Sequence, residues 1–270
     1  MTAADSPRTL RLLSYNIQSG LTTRRYSHYV TKVWKHVMPV PSRMQNLNAI
    51  ADLVSGYDVV GLQEVDSGSL RSGFVDQAHY LADRARFQYF CEQTNRRIGR
   101  ISQHSNVLLT QVKPDLFHDY KLPGAIRGRG ALMVRFGSGS DDTTLYVYVV
   151  HLALGRDARR RQMAYLAKRI REQRYVVLMG DLNCSTESRD MTRFREQAKL
   201  LEPVAGLHTF PSWKPKRQLD HILVTRGLKV SSVDVLEQFY SDHLPIEMEL
   251  ELPAEIKLDP LAEFPASESH

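Results

Sequence analysis

Gly180-Asp181-Leu182-Asn183 places an acid and an amide directly after a short apolar run, Tyr175-Val176-Val177-Leu178-Met179. Such a partly β-branched run reads as a buried strand. An unpaired carboxylate is too costly to bury, so the tip of this strand must leave the core. Gly180 permits a close backbone approach or an unusual turn there. The same pattern recurs along the chain. Strands read at 9–17, 58–62 and 145–150 deliver Asn16, Gln63-Glu64 and His151 at their ends, while strands read at 219–225 and 244–252 open on Asp220 and on Asp242-His243. If those last two run antiparallel to the first four, all these groups share one rim of mixed sheet.

The inventory suits phosphoryl chemistry. Mg²⁺ prefers oxygen ligands and takes one or two carboxylates plus water; Glu64 and Asp242 supply carboxylates and Asn16 a neutral oxygen. Cleaving a phosphate ester needs charge neutralisation on the non-bridging oxygens, an activated in-line water and a stabilised leaving oxygen. His151 and Asn183 are donors for phosphoryl oxygens, and Asp181 is suited to orient or deprotonate the water. Asp220 beside His243 would fix the imidazole tautomer and raise its pKa. No Cys/His set fits zinc, and no Gly-rich nucleotide loop points to a kinase or ATPase. Each residue also has a bland alternative: Asp220 an ion pair with Arg217, Glu64 one with Arg71, Asp242 a turn before Pro245. Their joint occurrence carries the case.

The elements that must position them follow from periodicity. Tyr26, Tyr29, Val30, Val33, Trp34 and Val37 recur at helical spacing and suit a helix capping the core edge or a surface-seeking one. Pro39 and Pro41 end it. Ser42 and Gln45 form a capping box for a helix with Met44, Leu47, Ile50 and Leu53 inward. Phe74, Ala78, Leu81, Ala82 and Ala85 mark another. Asp157 is expected to cap a helix running to about 172 with Met163, Leu166 and Ile170 inward, and a short helix follows near 191–200. Further strands are expected at 106–110, 130–136 and 229–236, and a loop at Thr209-Phe210-Pro211-Ser212-Trp213.

With 270 residues, 42% hydrophobic and 24% charged, the chain fits one large globular domain. No run approaches a membrane span, and the polar N-terminal residues hold no apolar signal core. Two cysteines, Cys91 and Cys184, form no disulfide framework, so a reducing cytoplasmic setting is expected. The formal charge of +6 is concentrated in Arg24-Arg25, Arg96 to Arg100, Arg127 with Arg129, Arg156 to Arg161 and Lys214 to Arg217. Such an excess favours polyanionic partners, nucleic acid or anionic lipid. Tyr26, Tyr29, Trp34 and Trp213 are candidates for stacking on bases.

Taken together, Ser14-Tyr15-Asn16-Ile17, Gln63-Glu64-Val65, His151-Leu152, Gly180-Asp181-Leu182-Asn183, Leu219-Asp220-His221-Ile222 and Ser241-Asp242-His243-Leu244-Pro245 resemble the endonuclease/exonuclease/phosphatase superfamily, in its motif order and across residues 10–252. The resemblance implies an α/β four-layer sandwich, two mixed β-sheets face to face with helices outside, and metal-dependent hydrolysis of a phosphate ester. It implies Glu64 as main metal ligand, with Asn16 and Asp242 assisting and Gln63 in support. It makes His151 and Asn183 the phosphate contacts, and makes Asp181 the acid that positions the water or protonates the leaving group. Asp220 and His243 become the Asp–His dyad, with the base left open between Asp181 and His243. Arg129-Gly130-Ala131 and Arg161-Gln162 are also similar to the family, Arg129 as a substrate contact; salt bridges and helix packing are their structural alternative.

The expected organisation is a disordered segment 1–8, one domain over 9–252 and a frayed tail over 253–270. Mg²⁺ is the expected cofactor, with Mn²⁺ able to substitute. The superfamily spans abasic-site endonucleases, deoxyribonucleases, deadenylases, inositol-phosphate phosphatases and sphingomyelinases. The expectation here is a cytoplasmic, monomeric phosphodiesterase acting on nucleic acid. The alternatives are a phospholipid head group or small phosphoester as substrate and, third, a binding module without catalysis.

Overall fold

The computed structural model describes residues 8–20, 40–68, 75–98, 102–124, 129–137 and 139–258. The helix expected within 21–41 falls largely on residues outside these, as do Arg24, Arg25, Arg71 and Arg127.

The strands are β1 Thr9–Asn16, β2 Val59–Asp66, β3 Tyr89–Ile98, β4 Ser102–Thr110, β5 Leu116–Lys121, β6 Gly130–Phe136, β7 Leu145–His151, β8 Tyr175–Asp181, β9 Leu200–Leu201, β10 Asp220–Thr225, β11 Lys229–Val235 and β12 Ile246–Glu251. They form two six-stranded sheets, ordered β11-β12-β1-β2-β4-β3 and β5-β6-β7-β8-β10-β9. Each sheet has one parallel pair, β1 with β2 and β7 with β8. Strand β12 runs antiparallel to β1, and β10 antiparallel to β8, which is the arrangement the shared rim requires. The helices are α1 Val40–Val54, α2 Gln77–Arg84, α3 Arg156–Ile170 and α4 Arg189–Ala198.

Side chains alternate across a strand, and here the alternation sorts three cores. Leu12, Val59, Val149, Val177, Met179 and Ile222 join the core between the sheets. Leu13, Tyr15, Val60 and Leu62 pack with α1 and α2 on the outside of the first sheet. Val176, Leu178 and Leu223 pack with α3 and α4 on the outside of the second. The result is a four-layer α/β sandwich of two mixed β-sheets. Gly61 faces the inter-sheet core, where a Cβ would come within 2.8 Å of Met179 Cε, so glycine lets the sheets close there.

Several elements differ from the sequence reading. Ser42 does not open the helix as expected, because α1 is already running at Val40; Pro41 sits in its first turn, where a missing N–H is tolerated. Asp157 is not a cap. Gly155 holds that position without a side-chain hydrogen bond, and Asp157 lies in the first turn, where its charge suits the helix dipole. Strands β3 and β5 lie over stretches to which the sequence reading assigned no strand. Beyond Leu252, Ile256 and Leu258 are buried against the inter-sheet core, so packing runs past the expected boundary.

Candidate active site

The same alternation fixes which polar groups meet. On β8, Tyr175, Val177 and Met179 face inward, so Asp181 does too. Parity likewise sends His151 of β7 and Asp220 of β10 inward. Registers place Gly130, His151, Asp181 and Asp220 in one row across four strands. Opposite them Asn16 ends β1, two residues after Ser14 and on the inward parity of Leu10 and Leu12. Its Nδ2 donates to Asp181 Oδ2 at 3.2 Å, bridging the sheets.

Two backbone devices complete the row. Gly180 has φ 139°, and a Cβ there would overlap the Val150 carbonyl oxygen; the β7–β8 approach that aligns His151 with Asp181 therefore requires glycine. On β2 the pairing with β4 shifts register between Leu62 and Val65. Glu64 sits in that bulge at φ 57°. Outward parity accordingly moves from Val60 and Leu62 to Val65, which frees Glu64 to turn towards the site. Bulges re-aim side chains in this way. The strand thus continues past Glu64 rather than ending there.

Asp220 Oδ2 and His243 Nδ1 are 2.7 Å apart, and Thr209 Oγ1 donates to the same oxygen at 2.5 Å. The bland partner, Arg217, instead stands over the Phe210 ring. Neither Asp220 nor His243 is more than 6% exposed. Burial alone would hold His243 uncharged, but the Asp220 carboxylate overcomes it and, with Asp181 and Asp242 adding, pushes the imidazole up to about 10. Asp181 is pushed up to about 7, first by burial and then by the charge of Asp220; His243 and the Asn183 N–H, which donates to Oδ1 at 2.9 Å, oppose the rise. Burial also raises Asp242, and the charge of Glu64 raises it further.

His151 Nε2 lies 3.4 Å from Asp181 Oδ2 and 3.8 Å from Glu64 Oε1. Arg129 Nη1 lies 2.7 Å from that nitrogen. Asn183, at φ 51°, donates from Nδ2 to the Leu152 carbonyl at 3.0 Å. Gln18 Nε2 donates to Asp242 Oδ2 at 3.1 Å, while its N–H donates to Asn16 Oδ1 at 3.2 Å. Asn16, Glu64, Arg129, His151, Asp181, Asn183, Asp220, Asp242 and His243 therefore lie in one neighbourhood; the Gln63 amide instead donates to the Gly61 carbonyl at 3.1 Å.

A cation has two candidate positions. Glu64 and Asp242 repel each other, and with Asn16 they present oxygen donors only, the set a hard divalent ion prefers. Asp181, Asp220 and His243 also bring ligand atoms within 4.8 Å of one another. His243 Nδ1 is already engaged by Asp220, whereas Asp220 Oδ1 is buried without a partner among the described residues. The donor chemistry of Glu64, Asp242 and Asn16 fits the ion better.

Sequence reasoning passed over three supporting residues. Thr209 is read there only as loop, Gln18 not at all, and Gln162 only as part of a family-like Arg161-Gln162 pair with helix packing as its alternative. Gln162 Oε1 accepts from Ala153 N at 2.8 Å and so anchors the turn that follows His151. The Arg161-Gln162 similarity was the available signal for it.

The endonuclease/exonuclease/phosphatase family model matches residues 13–243, and the chain belongs to that family. Its members hydrolyse phosphoester bonds, generally with a divalent metal. The Escherichia coli K12 protein YbhP is 26% identical over 260 residues, covering 90% of this chain and 97% of its own. An endonuclease/exonuclease/phosphatase structure from Beutenbergia cavernae superposes with a TM-score of 0.69 at 22% identity, covering 91% of this chain and 72% of that one. A mannosyl-6-phosphatase from Bacteroides thetaiotaomicron superposes with a TM-score of 0.66 at 18% identity, covering 89% and 99%.

Proposed function

We propose that this protein is a Mg²⁺-dependent phosphodiesterase that cleaves nucleic acid by in-line attack of an activated water. The observation that carries the reading is the inward row of His151, Asp181 and Asp220, closed by His243 and bridged to Asn16. Glu64 and Asp242, with Asn16 as neutral oxygen, would hold the ion, with Mn²⁺ able to substitute. When bound, the metal supplies charge neutralisation at the phosphoryl oxygens.

The chain's own groups divide the remaining work. Asp220 takes Nδ1 of His243, leaving Nε2 to meet the phosphoryl group as a cationic donor at neutral pH. Asp181, pushed up to about 7, exchanges a proton near neutrality, as an acid or base at the reacting water or leaving oxygen should. Asn16 and the Asn183 N–H orient its carboxylate. His151 and Arg129 bind the phosphoryl oxygens, and Asn183 holds the turn beside them. Two buried free thiols, Cys91 and Cys184, suit a reducing cytoplasm, and we read the chain as a monomer. Among the described residues no helix is long and apolar enough to cross a membrane.

A second reading keeps the chemistry and takes a small phosphoester, the class to which the name of the Bacteroides relative points. One panel tests both: DNA, RNA, phospholipid, inositol and mannosyl phosphates, with Mg²⁺ or with EDTA, beside Glu64→Ala. Cleavage of DNA or RNA that EDTA and Glu64→Ala both abolish supports the first. Turnover of the monoesters alone replaces it with the second.

A further inference from the structure

The basic clusters differ in how they are neutralised. On α3, Arg156 and Arg160 both reach Asp190, at 3.0 and 3.8 Å. Arg174, just before β8, pairs with Asp142 and Glu255, and Arg195 of α4 pairs with Glu202. Among the described residues Lys214, Lys216 and Arg217 have no such acidic partner, a condition they share with Arg161 of the α3 cluster. Lys214, Lys216 and Arg217 are all exposed.

They stand on a loop tied to the dyad. Thr209 Oγ1 donates to Asp220. Ser212 N donates to Asp242 O at 2.8 Å, Ser212 Oγ to Ser241 O at 2.7 Å, and Leu244 N to Thr209 O at 2.9 Å. Phe210 and Arg217 pair across the loop, which turns it back on itself. The Phe210 ring lies 4.9 Å from the His243 ring, and the Arg217 guanidinium stands 5.9 Å over its centroid. Trp213, half-buried, follows the anchored Ser212 and precedes Lys214 in the chain. The loop therefore sets the Phe210 ring against His243, and the same loop carries Trp213 and three exposed cations without an ion pair among the described residues.

We infer that the 209–217 loop grips the nucleic-acid strand next to the scissile phosphate. Trp213 stacks on a base, and Lys214, Lys216 and Arg217 hold neighbouring backbone phosphates, the combination that single-strand binding needs. The inference rests on the nuclease reading above and adds that the preferred substrate is a single strand longer than one nucleotide. It makes the loop a specificity element, with the dyad as its base.

The test compares the wild type with Lys214→Ala/Lys216→Ala/Arg217→Ala and with Trp213→Ala. Lys214→Arg/Lys216→Arg serves as rescue, and Arg226→Ala, at the opposite end of β10, as control. Binding of a fluorescent single-stranded oligonucleotide is followed by anisotropy against salt. KM and kcat are taken on that strand and on bis(p-nitrophenyl) phosphate. The triple variant should raise KM for the strand at least about tenfold more than for the small diester, with kcat changed less. Its log–log salt slope should flatten by about 2, since roughly 0.7 is lost per single-strand phosphate contact. The rescue should restore both, and Arg226→Ala should move neither.

If the wild type cleaves the strand and the triple variant leaves slope and KM unchanged, the inference is overturned and the nuclease reading stands. Equal loss on both substrates also overturns it, as damage to the site. A wild type that neither binds nor cleaves the strand overturns the inference, and the nuclease reading falls with it only if duplex DNA and RNA are also left uncut. Anionic phospholipid vesicles that bind through these cations when the oligonucleotide does not would assign the loop to a membrane surface and overturn it too.

Discussion

Asp181 receives hydrogen bonds from Asn16 and Asn183, yet it shares its row with another carboxylate, Asp220. The ion cost is met by His243, whose positive charge lies against both. The pair explains why removing one member should cost so much more than exchanging a surface charge. His243→Ala leaves Asp220 buried without its cation, and Glu64→Ala removes a carboxylate of the proposed cation site. Each should lower kcat by at least about 10²-fold while circular dichroism stays native; a native rate in either would remove that residue from the chemistry. The dyad also sets a pH dependence of stability. The folded-state pKa of His243, about 10, lies above its ordinary value of 6.5. Its contribution is therefore complete below about 6.5 and is lost as pH rises through about 10. In EDTA, urea unfolding should show stability falling by on the order of a few kcal/mol from pH 6 to pH 10. Asp220→Asn should flatten that fall. A wild-type curve that is flat, or that rises with pH, would contradict the dyad as drawn.

At the scale of elements, the site depends on the close approach of β7 and β8 as much as on any acid. Gly180→Ala puts a methyl group into the Val150 carbonyl at a backbone angle that only glycine adopts comfortably. It should destabilise by about 3 kcal/mol or more, and by shifting the row it should lower activity further than its loss of folded protein explains. Urea unfolding together with kcat per folded molecule checks both. This dependence on parity is also why so much of the site was readable in advance. Asn16, His151, Asp181 and Asp220 end or open apolar runs, and a period of two carries them to the same face. What escaped the reading lacked that signal. Strand β5 shows five exposed residues and one half-buried, so its sequence has no inward stripe, and β3 mixes Glu92, Gln93 and Thr94 into its run. Gln18 meets Asp242 across 224 positions, and Thr209 meets Asp220 across a loop whose return is set by Ser212 and Leu244 rather than by local pattern. The Glu64 bulge inserts one residue into an otherwise regular alternation, which composition cannot announce. The reading of Ser42 as a helix start misled because Pro41, a helix starter when it falls in the first turn, lies just before it.

At the scale of the whole molecule, the two sheets hold mutually repelling carboxylates together, and a bound cation should repay that as stability. Glu64 and Asp242 come from different ends of the chain, on β2 and before β12, so an ion between them braces the first sheet across β1. Binding to the folded state alone stabilises by RT ln(1 + [L]/Kd), about 2.7 kcal/mol at a hundredfold excess over Kd. Mg²⁺ or Mn²⁺ should therefore raise the unfolding midpoint at pH 8. The gain should shrink near pH 5, because burial and the charge of Glu64 raise the pKa of Asp242, and a protonated carboxyl is a poorer ligand. Differential scanning calorimetry of variants locates the ion. Glu64→Gln and Asp242→Asn should each remove most of the metal-induced shift, with Asp220→Asn retaining it. The reverse pattern would move the cation to Asp181, Asp220 and His243, and His243 would then be a ligand rather than the cationic partner of the phosphoryl group.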